Sequence, residues 1–207
     1  MKLLPKEHGA SAIWFSSVIF ALTALPKPPW FPGIVIFLVV SIIALVVTGR
    51  LTGGSKIIMR MERNAFLLPV LSSLLTLLVP VGQMLMVWQL SVQFLAIWIV
   101  FLTYCVSGVV YTRDMVRSVL KDSPLRWASF ILSVALVPAE IVSLSAFDWL
   151  SLTAFAVVIP LMVHRIIVLL LMKRKDSSKI ERIRAVGFTQ AGNLVAAALI
   201  LAWVLRF

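Results

Sequence analysis

Glu7 and His8 stand side by side in the string Pro5-Lys6-Glu7-His8-Gly9-Ala10, just ahead of a long apolar run. A carboxylate beside an imidazole can move protons or take a metal ion. Glu is also simply favourable at a helix N-terminus. A second set is Gly108, Tyr111, Arg113, Asp114 and Arg117. The spacing of three between Gly108, Tyr111, Asp114 and Arg117 predicts one stripe of a helix. Arg113 and Arg117, one turn apart, can grip a phosphate or carboxylate through their planar forks, or can snorkel at a membrane surface. A third set is Pro160, His164 and Arg165, inside an apolar stretch. There a His–Arg pair needs partners, and Pro160 removes a helix hydrogen bond nearby. Gln190 and Asn193 form a fourth set on one helix face, as amides that bind a ligand or join helices. Glu140, after Pro138, is either a proton-linked carboxylate or a solvated helix end.

The elements that must hold these residues follow from composition. The chain has 207 residues, 61% hydrophobic and 13% charged. Soluble domains are about 45–50% apolar and about 25% charged. Here the apolar residues come in runs near the roughly 20 needed for a transmembrane helix. The fold expected is therefore an all-α integral membrane protein, a single bundle of about seven transmembrane helices over residues 1–207. The spans fall near residues 9–25, 30–48, 65–86, 89–111, 127–144, 149–172 and 187–205. Pro26, Pro28 and Pro29 end the first, since consecutive prolines cannot continue a helix. Pro69, Pro80, Pro138 and Pro160 lie inside later spans.

The net charge of +11 is concentrated between the spans. Lys2 and Lys6, and the connections after spans two, four and six, hold nearly all the Lys and Arg. The other connections hold Lys27, nothing, and Asp148. That alternation predicts a cytoplasmic N-terminus and an external C-terminus in a multi-pass protein of the cell membrane. The basic loops are then partners for anionic lipid rather than for nucleic acid. Trp14, Trp30, Trp88, Trp127 and Trp149 fall near span ends, where indoles anchor. Cys105 is the single cysteine, so no disulfide forms within the chain and no Cys-rich metal site exists.

The opening string resembles that of the YwiC-like membrane proteins, P-[KR]-[EQ]-H-G-A-W-A, with Ser11 in place of the Trp and Ala12 following. Two later stretches are similar to that family as well. One runs from Ser107 to Arg117, with Gly108, Tyr111, Met115 and Arg117 matching a glycine, aromatic and Met-[IV]-Arg pattern. The other is Arg184-Ala185-Val186-Gly187 with Asn193, although Gln190-Ala191 stands where a Glu is expected. The family has no established activity, so the resemblance singles out Glu7, His8 and Arg117 without naming a reaction. The layout also resembles UbiA-type prenyltransferases, but only Asp114 and Asp122 answer to their paired Asp-rich magnesium motifs.

Four of the polar sets fall towards the cytoplasmic ends of spans one, four, six and seven. The expectation is a polar, basic pocket facing the cytoplasm for an anionic ligand, such as a phosphate-bearing lipid or small molecule. In an enzyme acting on a lipid or isoprenoid phosphate, Glu7, His8 and His164 would be catalytic. Tyr111, Arg113, Asp114, Arg117, Arg165, Gln190 and Asn193 would bind the ligand. The alternatives are a small transporter of an organic anion or proton-coupled solute, with Glu140 as proton site, or a non-catalytic membrane subunit.

Overall fold

A computed structural model describes residues 8–23, 31–52, 67–88, 91–121, 127–173 and 178–204. Among these residues the chain is all-helical. Helix α1 is His8–Thr23, α2 Phe31–Thr52, α3 Leu67–Thr76, α4 Leu78–Val87, α5 Val92–Lys121 and α6 Trp127–Ala146. A 3-10 turn, Leu152–Val157, leads into α7, Val158–Lys173, and α8 is Lys179–Val204.

Three stretches are long and apolar enough to cross a membrane: Val92–Val119, Leu152–Leu170 and Glu181–Val204. Shorter apolar helices cover Ala12–Thr23, Pro32–Ala44, Ser73–Val87 and Val134–Ala146. The outer surface is correspondingly apolar. Along α2, Val35, Val39, Ile42, Ile43 and Val46 are all exposed. A contiguous apolar face of that kind is unfavourable in water and suits lipid.

Helices α3 and α4 follow one another directly, with a local break at Leu77. The cause is Pro80, which has no amide hydrogen to bond the carbonyl of Thr76. That carbonyl is taken instead by the indole N–H of Trp98 in α5, at 3.0 Å. The Trp14 indole of α1 similarly donates to the Ser41 carbonyl of α2, at 2.7 Å.

Two helices extend beyond the sequence expectation. Helix α5 continues past Tyr111 to Lys121, because no Gly or Pro interrupts residues 112–121 and the next breaker is Pro124. At about 1.5 Å per residue its 30 residues are longer than a hydrocarbon layer of roughly 30 Å. Helix α8 starts well before Gly187. Ser178 caps it, accepting from the Glu181 amide at 3.2 Å, while the Glu181 carboxylate accepts from the Ser178 amide at 2.9 Å. This reciprocal pair is a capping box.

Side-chain register sets the helix directions. Thr103 meets Glu140 and Tyr111 meets Phe130, so α5 and α6 are antiparallel. Tyr104 meets Asn193 and Gly108 meets Gln190, so α5 and α8 are antiparallel too. Gly33 approaches Leu85 while Phe37 approaches Gly82, which makes α2 and α4 antiparallel. The main core lies between α5 and α8, where Val100, Phe101, Leu194, Ala197 and Leu201 are buried. Phe20 of α1 packs on it, with its ring 5.0 Å from that of Phe101. A second cluster, with Val18, Ala21, Phe37, Leu78 and Met86, joins α1, α2 and α4.

Candidate anion-binding site

Polar side chains from α5, α7 and α8 converge in the interior. Arg165 of α7 is 1% exposed, and its guanidinium carbon lies 3.7 Å from the centre of the Tyr111 ring of α5. Stacking on an aromatic face satisfies the cation partly, through the ring quadrupole. It leaves the N–H groups at the edge of the fork without acceptors. Nε, Nη1 and Nη2 of Arg165 are all buried and make no hydrogen bond among the described residues. The guanidinium interacts electrostatically with Tyr111, Tyr104 and His164.

Around this cation the ring closes through neighbours. Tyr104 donates its hydroxyl hydrogen to Oδ1 of Asn193 at 2.5 Å. The Asn193 Nδ2 is left unpaired. His164, 3% exposed, meets the Tyr111 ring edge-on with centroids 6.5 Å apart. It also faces Gln190 closely enough to interact. The pair nevertheless lacks hydrogen-bond geometry, so both imidazole nitrogens and both ends of the Gln190 amide are buried and unpaired. Gly108 makes room for that amide, since a Cβ there would collide with Gln190 Nε2. The hydroxyl of Tyr111 is buried and unpaired as well.

These contacts follow from helix geometry. Tyr104, Gly108 and Tyr111 fall on one face of α5 at spacings of four and three. Stepping down α5 from Tyr104 to Gly108 steps back along α8 from Asn193 to Gln190. Below the ring, Met115, Val168 and Val186 close the interior with apolar contacts.

Of the residues expected from the sequence, the structure brings together Tyr111, His164, Arg165, Gln190 and Asn193. Arg113 and Asp114 are half-buried on α5, and Arg117 is exposed. The steps of three from Gly108 to Arg117 each fall short of a full turn, so the stripe rotates to the opposite side of the helix. Glu7 and the side chain of His8 lie outside the described residues. Helix α1 itself packs on α2, α3, α4 and α8. Tyr104 was not singled out in the sequence. Its signal was its place one turn before Gly108 on the face of Tyr111.

Glu140 is separate from the ring. Its Oε1 accepts from the Thr103 hydroxyl at 3.0 Å, while its buried Oε2 is unpaired. Among the described residues no three His, Cys, Asp or Glu side chains are grouped to hold a metal ion.

Compared with family models, with curated proteins and with solved structures, the chain matches none.

Proposed function

We propose that this chain is a membrane protein that crosses the bilayer seven times and binds an anionic group in the ring formed by α5, α7 and α8. The observation that carries the reading is Arg165, a fully buried guanidinium whose N–H groups have no acceptor among the described residues. A lone charge at bilayer depth costs about 2.5–3.5 kcal/mol even on insertion scales. A negative partner offsets that cost, and the planar fork matches the spacing of phosphate or carboxylate oxygens. The ligand is a phosphate-bearing lipid or small molecule, and His164 beside the fork is the group placed to handle a proton on it. In that form the protein is a membrane enzyme acting on a lipid or isoprenoid phosphate.

Seven crossings are supported by the register. Each helix pair fixed by two contact levels is antiparallel, as alternation through a bilayer requires. The charge alternation of the connections adds the orientation, with the N-terminus cytoplasmic and the C-terminus external in the cell membrane.

The test is binding of radiolabelled inorganic phosphate to the full chain in detergent, with native mass spectrometry of co-purified lipid. Saturable binding that Arg165→Lys weakens at least tenfold is the expected result, because Lys keeps the charge and loses the bidentate contact. Unchanged binding in Arg165→Met would remove the site.

A second reading, a proton-coupled transporter of an organic anion, is favoured by Glu140. Its carboxylate is bonded to Thr103, the residue preceding Tyr104 on α5. Uptake into proteoliposomes that requires a proton gradient and is lost in Glu140→Gln would select this reading over catalysis.

A further inference from the structure

We propose that the bound anion also carries a hydrogen-bond donor, which makes it a phosphomonoester or inorganic phosphate retaining one P–O–H, in preference to sulfate or a phosphodiester. The inference rests on the anion-binding reading above.

The unpaired atoms of the ring are of two kinds. Arg165 supplies five N–H donors, and Asn193 and Gln190 supply more through Nδ2 and Nε2. Donors alone suit any oxyanion. The distinction comes from acceptors. The Asn193 carbonyl oxygen is occupied, because the Tyr104 hydroxyl donates to it. That bond also fixes the amide with Nδ2 free, so Asn193 offers only donors. Tyr104 is thus a positioning residue. Gln190 has no such mate. Its Oε1 is buried and unpaired, and an amide oxygen can never donate. Turning the amide over exchanges its two ends and leaves one acceptor either way. In its neutral form His164 carries one acceptor nitrogen and one N–H donor, and the Tyr111 hydroxyl can donate or accept, but among the described residues neither meets Gln190 Oε1 in hydrogen-bond geometry. Both side chains are at least nine-tenths buried, Gln190 at 8% and His164 at 3% exposure.

A ligand made only of acceptors would pair Arg165 and Asn193 but leave Gln190 Oε1 desolvated against an oxygen. Sulfate and phosphodiesters are of that kind near neutral pH. A monoester with one protonated oxygen pairs both sets. An unpaired buried acceptor weakens binding roughly tenfold to a hundredfold. The same donor–acceptor logic lets buried sites reject analogues that lack one hydrogen.

The experiment is competition against radiolabelled inorganic phosphate on the full chain in detergent micelles, at pH 6.5. The competitors are methyl phosphate, dimethyl phosphate, sulfate and phosphatidic acid. Methyl phosphate should compete at least tenfold better than dimethyl phosphate or sulfate. In Gln190→Met, which keeps volume and loses the acceptor, that preference should shrink to under threefold. Stronger competition by phosphatidic acid than by methyl phosphate assigns the monoester to a lipid headgroup; the reverse order assigns it to a soluble phosphate. Equal competition by sulfate and phosphate, with both abolished by Arg165→Met, would overturn the monoester preference and leave the anion site standing. Binding of no anion by the wild-type chain would overturn both.

Discussion

The guanidinium of Arg165 lies over the ring of Tyr111, 3.7 Å from its centre, and among the described residues neither its edge N–H groups nor the Tyr111 hydroxyl has a hydrogen-bond partner. The arrangement is poor for stability and good for binding. Replacing even a buried and paired set of charges with well-packed apolar side chains of similar volume is often neutral or stabilising, by about 1–4 kcal/mol. Arg165→Met should therefore raise the unfolding free energy of the ligand-free protein, by about 1–4 kcal/mol on that precedent, while abolishing phosphate binding. Thermal unfolding in detergent, with and without phosphate, measures both. A fall in stability without ligand would mean that Arg165 is a structural keystone instead.

Gly108 and Gln190 should be coupled. A methyl group at position 108 would strike the Gln190 amide. Overpacking of this sort costs typically about 1–3 kcal/mol. Gly108→Ala should destabilise by an amount at the low end of that range, because the atom struck is the end of a flexible side chain, and adding Gln190→Ala should relieve the clash. A double-mutant cycle of unfolding free energies reads the coupling directly. Additive effects would show that the two helices adjust elsewhere.

Tyr104→Phe removes the hydroxyl that donates to Asn193. The Asn193 oxygen would then be buried and unpaired, at a cost of about 1–3 kcal/mol. Its amide would also lose its fixed orientation. The expected result is weaker phosphate binding together with reduced stability. Tyr104→Phe with Asn193→Leu should restore the stability and not the binding. Two unfolding curves and one binding isotherm separate these outcomes.

Topology can be read by labelling single cysteines at two exposed positions, Asp148 and Lys179, in a Cys105→Ala background. In intact cells a membrane-impermeant maleimide should reach position 148 and not position 179. The opposite pattern would invert the orientation. Labelling of both would break the alternation on which seven crossings depend.

Much of this arrangement was legible in the sequence, because each polar residue inside an apolar run demands an explanation. Tyr111, His164, Arg165, Gln190 and Asn193 stood out on that ground. The break near Pro80 was readable too, since proline's missing amide is a local fact. Its consequence was not, because the Trp98 indole that takes the freed carbonyl is 22 residues from Thr76. The early start of α8 was written in Ser178 and Glu181, a spacing masked by the basic residues between and after them. The placing of Arg117 depended on the accumulated rotation of a helix longer than expected. Tyr104 looked like one more aromatic until α8 brought Asn193 against it, and only tertiary structure can supply that pairing.

The uninterrupted length of α5 has a mechanical consequence. Towards one end Trp98 ties the helix to Thr76 of α3, the middle carries Tyr104 and Tyr111, and the other end runs on through Arg113 and Arg117. Proline is absent from residues 92–121, and the helix runs through Ser107-Gly108 as one element. A tilt or twist applied at the basic end reaches both tyrosines together. Helices longer than the hydrocarbon layer respond to its thickness by tilting. On the proposed reading, bilayer thickness and surface charge become levers on the aromatic wall behind Arg165, and the grip on an anion would differ between a thin membrane and a thick one.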